Sequence, residues 1–381
     1  MRSLTPSTPE ELAEGLAAAA AAGRRIRLGG AFSKSSMGGP ISDADVCVST
    51  QNLNRLRQYE PRDLTISVEA GMPWRELQNL LAENKQMLPL DPPFASQATV
   101  GGVVAANTSG PRRRQYGGVR DFVIGMTFAT LEGKLIQTGG MVVKNVAGLD
   151  MGKLMIGSYG TLAAIATVNF KVIPAPARSL SFCRRFETVD EVFNARDEIL
   201  RSVLQPSAID ILNPAAAERI GQEGWLLLLR AGGNAALLDR YARELSGFET
   251  IEGEAETALW QSIQEFTPAF LDDYPLGTVV RVSSSFQQMR LLAGTIRVPL
   301  VARAGTGVGY AHFTKPEDAG EWASRSKGQE WKCVIDFAPE SHKEYLMLWP
   351  DPGPELATMQ RIKQMFDPKN LLNKGRLHGR I

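Results

Sequence analysis

The sequence predicts a two-domain protein of mixed helix and strand, on three observations. At 381 residues the chain is two domains long, at about 150 residues per domain. Its glycines are uneven: 13 of the 36 lie between Gly101 and Gly160, and they thin out in the second half. Pro174-Ala175-Pro176 breaks regular structure where the character of the chain changes. A first domain over 1–176, a second over 177–350 and a terminal helix and tail over 351–381 follow.

Each element has a local reason. Thr8-Pro9-Glu10-Glu11 is a helix start, with Thr8 as cap, Pro9 in the first position and Glu11 completing a capping box; Gly23 ends that helix. Arg25–Leu28 and Val46–Ser49 read as short strands, and Leu64–Glu69 as an alternating one. Pro73 opens a helix that puts Trp74, Leu77 and Leu81 on one face. From Pro89 to Gly118 helix signals fail, which predicts loop with one short helical turn. Phe122–Gln137 reads as a hairpin about Glu132-Gly133, and Leu162–Ile173 as the last strand of the first domain. Beyond it, strands at Trp225–Arg230, Thr278–Val282, Val298–Arg303 and Cys333–Phe337 alternate with helices, and Glu355–Phe366 is an amphipathic helix stopped by Asp367-Pro368.

Composition removes several functions. A net charge of +1 gives no electrostatic footprint for nucleic acid or a polybasic membrane contact. Three scattered cysteines (Cys47, Cys183, Cys333) are too few for an iron–sulfur cluster or closed zinc site, and they fit a reducing compartment. The three histidines (His312, His342, His378) all fall late, so a His-rich metal site in the first three quarters is excluded. No apolar signal core or run of about twenty apolar residues occurs, so a cytoplasmic location is expected, with a peripheral role at the inner membrane left open.

Four small-residue segments carry the chemistry. Gly29-Gly30-Ala31-Phe32-Ser33-Lys34 follows a strand; its backbone N–H groups can wrap an anion, and Lys34 can add charge, although an ordinary tight turn uses the same residues. Thr99 to Gly110 keeps small residues over a long irregular stretch, where backbone must approach something flat and large or other backbone. Tyr116-Gly117-Gly118 follows Arg112, Arg113 and Arg114, a set that suits a phosphate, an acidic partner or plain solvent. Val143-Lys144-Asn145-Val146-Ala147-Gly148 leads to Gly157-Ser158-Tyr159-Gly160-Thr161, which also reads as a simple connection. None is a dinucleotide fingerprint; Gly305-Thr306-Gly307-Val308-Gly309-Tyr310 comes nearest and opens no helix.

Taken in order, these segments resemble the FAD-binding domain of the vanillyl-alcohol-oxidase/p-cresol-methylhydroxylase family over Arg25–Ile173. The tail Arg361–Arg376 is similar to the end of that family's cap domain. The narrower likeness is to the FAD-binding E subunits of bacterial glycolate oxidases, carried by Leu90-Asp91-Pro92-Pro93, the Thr99–Gly110 run and Val143–Gly148. The resemblance implies an α+β class: a two-subdomain FAD domain followed by an α+β cap with an antiparallel sheet, the tail returning to the FAD domain. It implies diphosphate contacts at Gly29, Gly30, Ala31, Phe32 and Ser33. It also implies flavin and ribityl contacts at Thr99, Gly101, Gly102, Ala105, Asn107, Ser109 and Gly110, with Tyr116, Gly117, Gly160, Thr161, Ile165 and Asn373 near the cofactor.

Two departures qualify the likeness. Relatives that attach FAD covalently do so through a histidine in the first turn; here Phe32-Ser33 stand there, so FAD is expected to be noncovalent, and Cys47 is expected in a core. Relatives that oxidise 2-hydroxy acids carry a histidine cluster with a metal in the cap; here the comparable strand offers His312 alone, so no metal is expected. His312 is the candidate base and Arg281, or Arg303, the candidate carboxylate clamp; a merely structural histidine is the competing reading. The implied activity is oxidation of glycolate or a similar 2-hydroxy acid, with a paralogous flavin subunit and an iron–sulfur subunit as partners that reach the membrane. A stand-alone flavin oxidase or dehydrogenase of a hydroxy acid or sugar lactone, and a non-catalytic flavin scaffold, are the alternatives.

Overall fold

The computed structural model describes residues 1–40, 43–142, 150–379 and 381. The Val143–Gly148 segment singled out above lies outside the described residues.

The first half holds two sheets. In the smaller, Val46–Ser49 is flanked in parallel by Arg2–Leu4 and Ile26–Gly29. Parallel strands need a crossover, and the helix Pro9–Ala21 supplies it. Thr8 Oγ1 accepts the Glu11 N–H at 3.1 Å, and Leu12, Leu16 and Ala19 pack on Ile26, Val46 and Val48. Cys47, expected in a core, is only half-buried, because alternate strand residues point to opposite faces and Val46 and Val48 take the inner one.

The larger sheet is antiparallel, in the order Leu56–Glu60, Thr65–Glu69, Ala164–Lys171, Val123–Ala129, Leu135–Gly139. The predicted hairpin turns at Gly133, whose φ of 79° is open to glycine. Trp74, Leu77 and Leu81 of the helix Trp74–Glu83 share a core with Ile66, Val68, Phe128 and Phe170. The polar face of Thr65–Glu69 is covered too: the Ser67 hydroxyl donates to Asn169 at 2.7 Å, and Glu69 accepts the Arg55 N–H at 2.9 Å.

The stretch expected to be mostly loop contains a seven-residue helix, Val100–Ala106, and a shorter one, Arg113–Tyr116. Two adjacent glycines hide the helix signal. Thr99 caps it, its Oγ1 accepting the Gly102 N–H at 3.3 Å, and Asn107 ends it in the left-handed region at φ 51°. The glycines bring it close to the sheet: a Cβ on Gly101 would lie 2.7 Å from Ala70 Cβ.

The second half forms one eight-stranded antiparallel sheet, in the order Glu249–Ile251, Arg178–Phe186, Trp225–Gly233, Ala208–Leu212, Leu300–Arg303, Val308–Phe313, Thr278–Ser283, Lys332–Phe337. Its two faces differ. Val280, Val282, Leu300, Ala302, Ala311 and Phe313 enter a core shared with Phe193 and Leu292 of the helices Val189–Arg201 and Phe286–Thr295. By the two-residue period, Arg281, Arg303, Tyr310 and His312 face the other way, toward the first half.

The helix Glu355–Phe366 leads the tail back to the first half. Leu372 bridges Ile26, whose N–H donates to Leu371 O at 2.8 Å. No helix among the described residues is long and apolar enough to cross a membrane.

Candidate functional site

The first cleft opens where the strand Ile26–Gly29 runs out. It spans about 820 Å³ of space free of atoms, open solvent included. Gly29, Gly30, Ala31, Phe32, Ser33, Thr99, Gly101, Gly102, Ala105, Gly160 and Ile165, from three separate segments, all line it. Close approach explains Gly30, since an added Cβ would collide with the Thr99 hydroxyl. Gly30→Ala is therefore expected to push apart the glycine turn and the Val100–Ala106 helix, weakening flavin retention about 10-fold or more while secondary structure is kept; flavin content per chain after purification and circular dichroism check it.

Backbone strain gathers here. Among the described residues nine non-glycines have positive φ, and Phe32, Asn107, Tyr159 and Asn373 are among them. Such conformations cost about 1–3 kcal/mol each and concentrate at functional sites. Asn373 holds two of the strained turns together: it accepts the Leu28 N–H at 2.8 Å and donates to Leu28 O at 3.0 Å and Tyr159 O at 2.8 Å. It does not line the cleft; it fixes the parts that do.

A second cleft, about 1,520 Å³ with open solvent included, lies between the first half and the sheet face of the second half that is turned toward it. It shares Met37, Ala106 and Tyr159 with the first, so the two adjoin. Asn107, Ser109 and Gly110 line this second cleft, with Arg281 and His312. Tyr116, Gly117 and Thr161 line neither: Tyr116 packs on the first-half core, Gly117 turns at φ 87°, and the Thr161 hydroxyl donates to Ser158 O at 2.7 Å.

Positive charge is in slight excess in the second cleft. Arg281 Nε donates to Asp336 at 2.8 Å, and Arg303 pairs with Asp210. Arg113, bonded to the Ser109 hydroxyl at 3.2 Å, has no carboxylate partner among the described residues. The Arg281 pair depends on an irregularity: Val280 pairs Ile335 and Val279 pairs Phe337, leaving Asp336 as an extra residue in a bulge. Bulges re-aim side chains, and here the carboxylate meets the guanidinium. Asp336 holds Arg281 firmly charged. The same bulge ties the two halves, since Asp336 O accepts the Gly38 N–H at 2.9 Å and Met37 bridges Phe337.

His312 is fully buried between Phe266 and Phe270, whose rings stand edge-on at 4.9 and 5.2 Å. Its Nδ1 lies 3.2 Å from Pro299 O, which can only accept, so the proton sits on Nδ1 and Nε2 accepts from the Thr267 hydroxyl at 2.9 Å. Burial pushes its pKa down to about 3, so it is neutral at physiological pH. Tyr310 and Tyr159 have phenols raised by burial. His342 lies elsewhere, 3.6 Å from Glu317, and the His378 ring lies tilted against Trp349 at 5.3 Å. Among the described residues no three His, Cys, Asp or Glu side chains gather as a metal site would require.

Sequence reading missed Asp336, Tyr159 as a lining residue, and Thr267. Asp336 left a signal, a lone carboxylate in the apolar run Cys333-Val334-Ile335-Asp336-Phe337. Thr267 left none, being 45 residues from His312.

Comparison with known proteins agrees with this geometry. The FAD binding domain model matches residues 2–139, and the model for FAD linked oxidases, C-terminal domain, matches residues 342–377. Glycolate oxidase subunit GlcE of Escherichia coli K12 is 31% identical over 358 residues, covering 92% of each chain. The mitochondrial D-lactate dehydrogenase [cytochrome] of Arabidopsis thaliana is 25% identical over 374 residues, 87% of this chain and 65% of that one. A 4-ethylphenol oxidase from Gulosibacter chungangensis shares the fold, with TM-score 0.74 at 14% identity over 98% of this chain and 88% of that one. The residues fit the cofactor these matches name: a strained glycine turn opposite a glycine helix, at a cleft with buried cations in its wall. The α+β architecture expected from the resemblance is the one observed, and the chain belongs to the FAD-linked oxidase family that includes glycolate oxidase subunit GlcE, as an FAD-dependent oxidoreductase.

Proposed function

We propose that this chain is the FAD-binding subunit of a complex that oxidises glycolate or a similar small 2-hydroxy acid to the 2-oxo acid, passing electrons to an iron–sulfur partner. A paralogous flavin subunit completes the complex, which sits in the cytoplasm or at the inner membrane surface through its partners. One observation carries the reading: the first cleft, suited to FAD, adjoins a second cleft whose cationic excess suits a small carboxylate.

The residues take distinct parts. Gly29 to Ser33 offer backbone N–H groups to the diphosphate; Thr99, Gly101, Gly102, Ala105, Gly160 and Ile165 admit the flavin and ribityl parts by their small size or flat packing. Bound FAD supplies the two-electron acceptor for the substrate C–H. Arg281, fixed through Nε by Asp336, keeps its terminal NH groups for the substrate carboxylate, with Arg113 and Arg303 adding field. The hydroxyl proton would pass to the Thr267 oxygen, whose own proton already points at His312 Nε2. The turn holds Phe32-Ser33 and no histidine, so the flavin is held without a covalent bond: acid precipitation should release the yellow colour to the supernatant, and colour retained in the pellet would contradict this.

The state of His312 favours a second reading. With both ring nitrogens engaged and its basicity suppressed, it is a weak proton acceptor. Under this reading the chain holds and relays electrons through FAD while the paralogous subunit oxidises the substrate. His312→Ala in the assembled complex separates the two. Activity that collapses with flavin content intact supports oxidation in this cleft, and full activity supports the relay.

A further inference from the structure

Two buried cations in the first cleft are without an ion pair among the described residues; the carboxylates that act on them, Glu265 on Lys34 and Glu340 on Arg376, are bonded elsewhere. Lys34 is 8% exposed, and its Nζ makes no hydrogen bond among the described residues; it lies 5.6 Å from the centre of the Phe94 ring. The nearest acid acting on it, Glu265, has both oxygens committed to the Phe94 and Ala95 N–H groups at 2.9 and 2.8 Å. Arg376 is 9% exposed and comes from the other end of the chain. Its NH groups donate to Ser35 O at 2.8 Å and Lys34 O at 3.1 Å, and its Nε is buried without a partner. Neither residue makes an ion pair among the described residues, yet both line the cleft of the glycine turn. Uncompensated buried charge is destabilising, and natural proteins keep it where a ligand supplies the counter-charge.

We propose that Lys34 and Arg376 are the paired counter-charges of the FAD diphosphate, so that the C-terminal tail completes the cofactor site. This rests on the FAD reading of the cleft and adds to it the residues that neutralise the cofactor. Two consequences follow. Burial pushes Lys34 down to about 8, so near that pH the empty site holds it partly neutral; arrival of a dianion restores the proton. Because Arg376 grips the backbone of Lys34 and Ser35, cofactor and tail stabilise each other's position.

The test is calorimetric titration of the FAD-free full chain with FAD, ADP and riboflavin, at pH 8 in two buffers of different ionisation enthalpy. Wild type is expected to take up protons on binding FAD. Lys34→Met is expected to bind FAD and ADP about 10- to 100-fold more weakly, to take up no proton, and to leave riboflavin affinity unchanged. The cofactor-free variant should melt at the same or a higher temperature, because a buried amine has been removed. Lys34→Arg, which keeps the charge, should retain most of the affinity and covers the case in which the Met variant fails to fold. Equal FAD affinity in wild type and Lys34→Met, or an equal loss toward riboflavin, overturns the proposal. Failure of the wild-type chain to take up FAD at all overturns the reading of the cleft itself.

Discussion

Lys363→Met is expected to lower the unfolding free energy by about 3–5 kcal/mol, the usual cost of breaking a buried ion pair by removing one partner. Lys363 is buried on the terminal helix, and all three of its donors are used: Asp367 Oδ2 at 2.7 Å, Thr161 O at 2.7 Å and Leu372 O at 2.9 Å. Asp367 in turn accepts the Leu371 and Leu372 N–H groups at 3.0 and 2.7 Å. Removing the amine strands a carboxylate that is 1% exposed. The loss should spread, since the same amine ties the tail to Thr161, next to the Tyr159-Gly160 turn that Asn373 clamps. Urea denaturation should show a lower midpoint, with flavin released before global unfolding. Lys363→Met with Asp367→Leu should recover much of the loss, because an apolar pair leaves no buried charge.

The second large effect is expected at Arg281. Arg281→Lys keeps the charge on Asp336 but removes the planar fork that can hold a carboxylate in two bonds. In the assembled complex, kcat/KM for glycolate should fall about 10- to 100-fold, mostly through KM, with flavin content and assembly unchanged. Steady-state kinetics on complex purified with equal flavin loading checks this. Unchanged kinetics would move substrate binding out of this chain's cleft and strengthen the relay reading.

What the sequence disclosed and what it hid divide by range. Thr8 and Pro9 specify a helix start within a few residues, and the Glu132-Gly133 hairpin is equally local; both stand as read, except that the Glu11 carboxylate accepts the Ser7 N–H at 2.7 Å in place of the Thr8 N–H that a capping box requires. The small-residue segments disclosed the first cleft because admitting a flat cofactor leaves a compositional trace. Thr99–Gly110 reads as irregular from sequence, because Gly101 and Gly102 lower helix propensity, while close packing on Ala70 more than offsets it in the fold. The electrostatics was hidden. Arg281 meets Asp336 across 55 residues and only through a bulge, Thr267 reaches His312 across a helix-to-strand gap, and Arg376 reaches Lys34 over almost the whole chain. No local pattern records such partners.

The measurement that bears most directly on the account is native-level purification of the chain through a tag, followed by anaerobic addition of glycolate. A second flavoprotein and an iron–sulfur protein are expected to co-purify, and glycolate is expected to bleach the flavin absorbance of that assembly. Recovery of the chain alone, with full turnover and no partner, would contradict the proposed function.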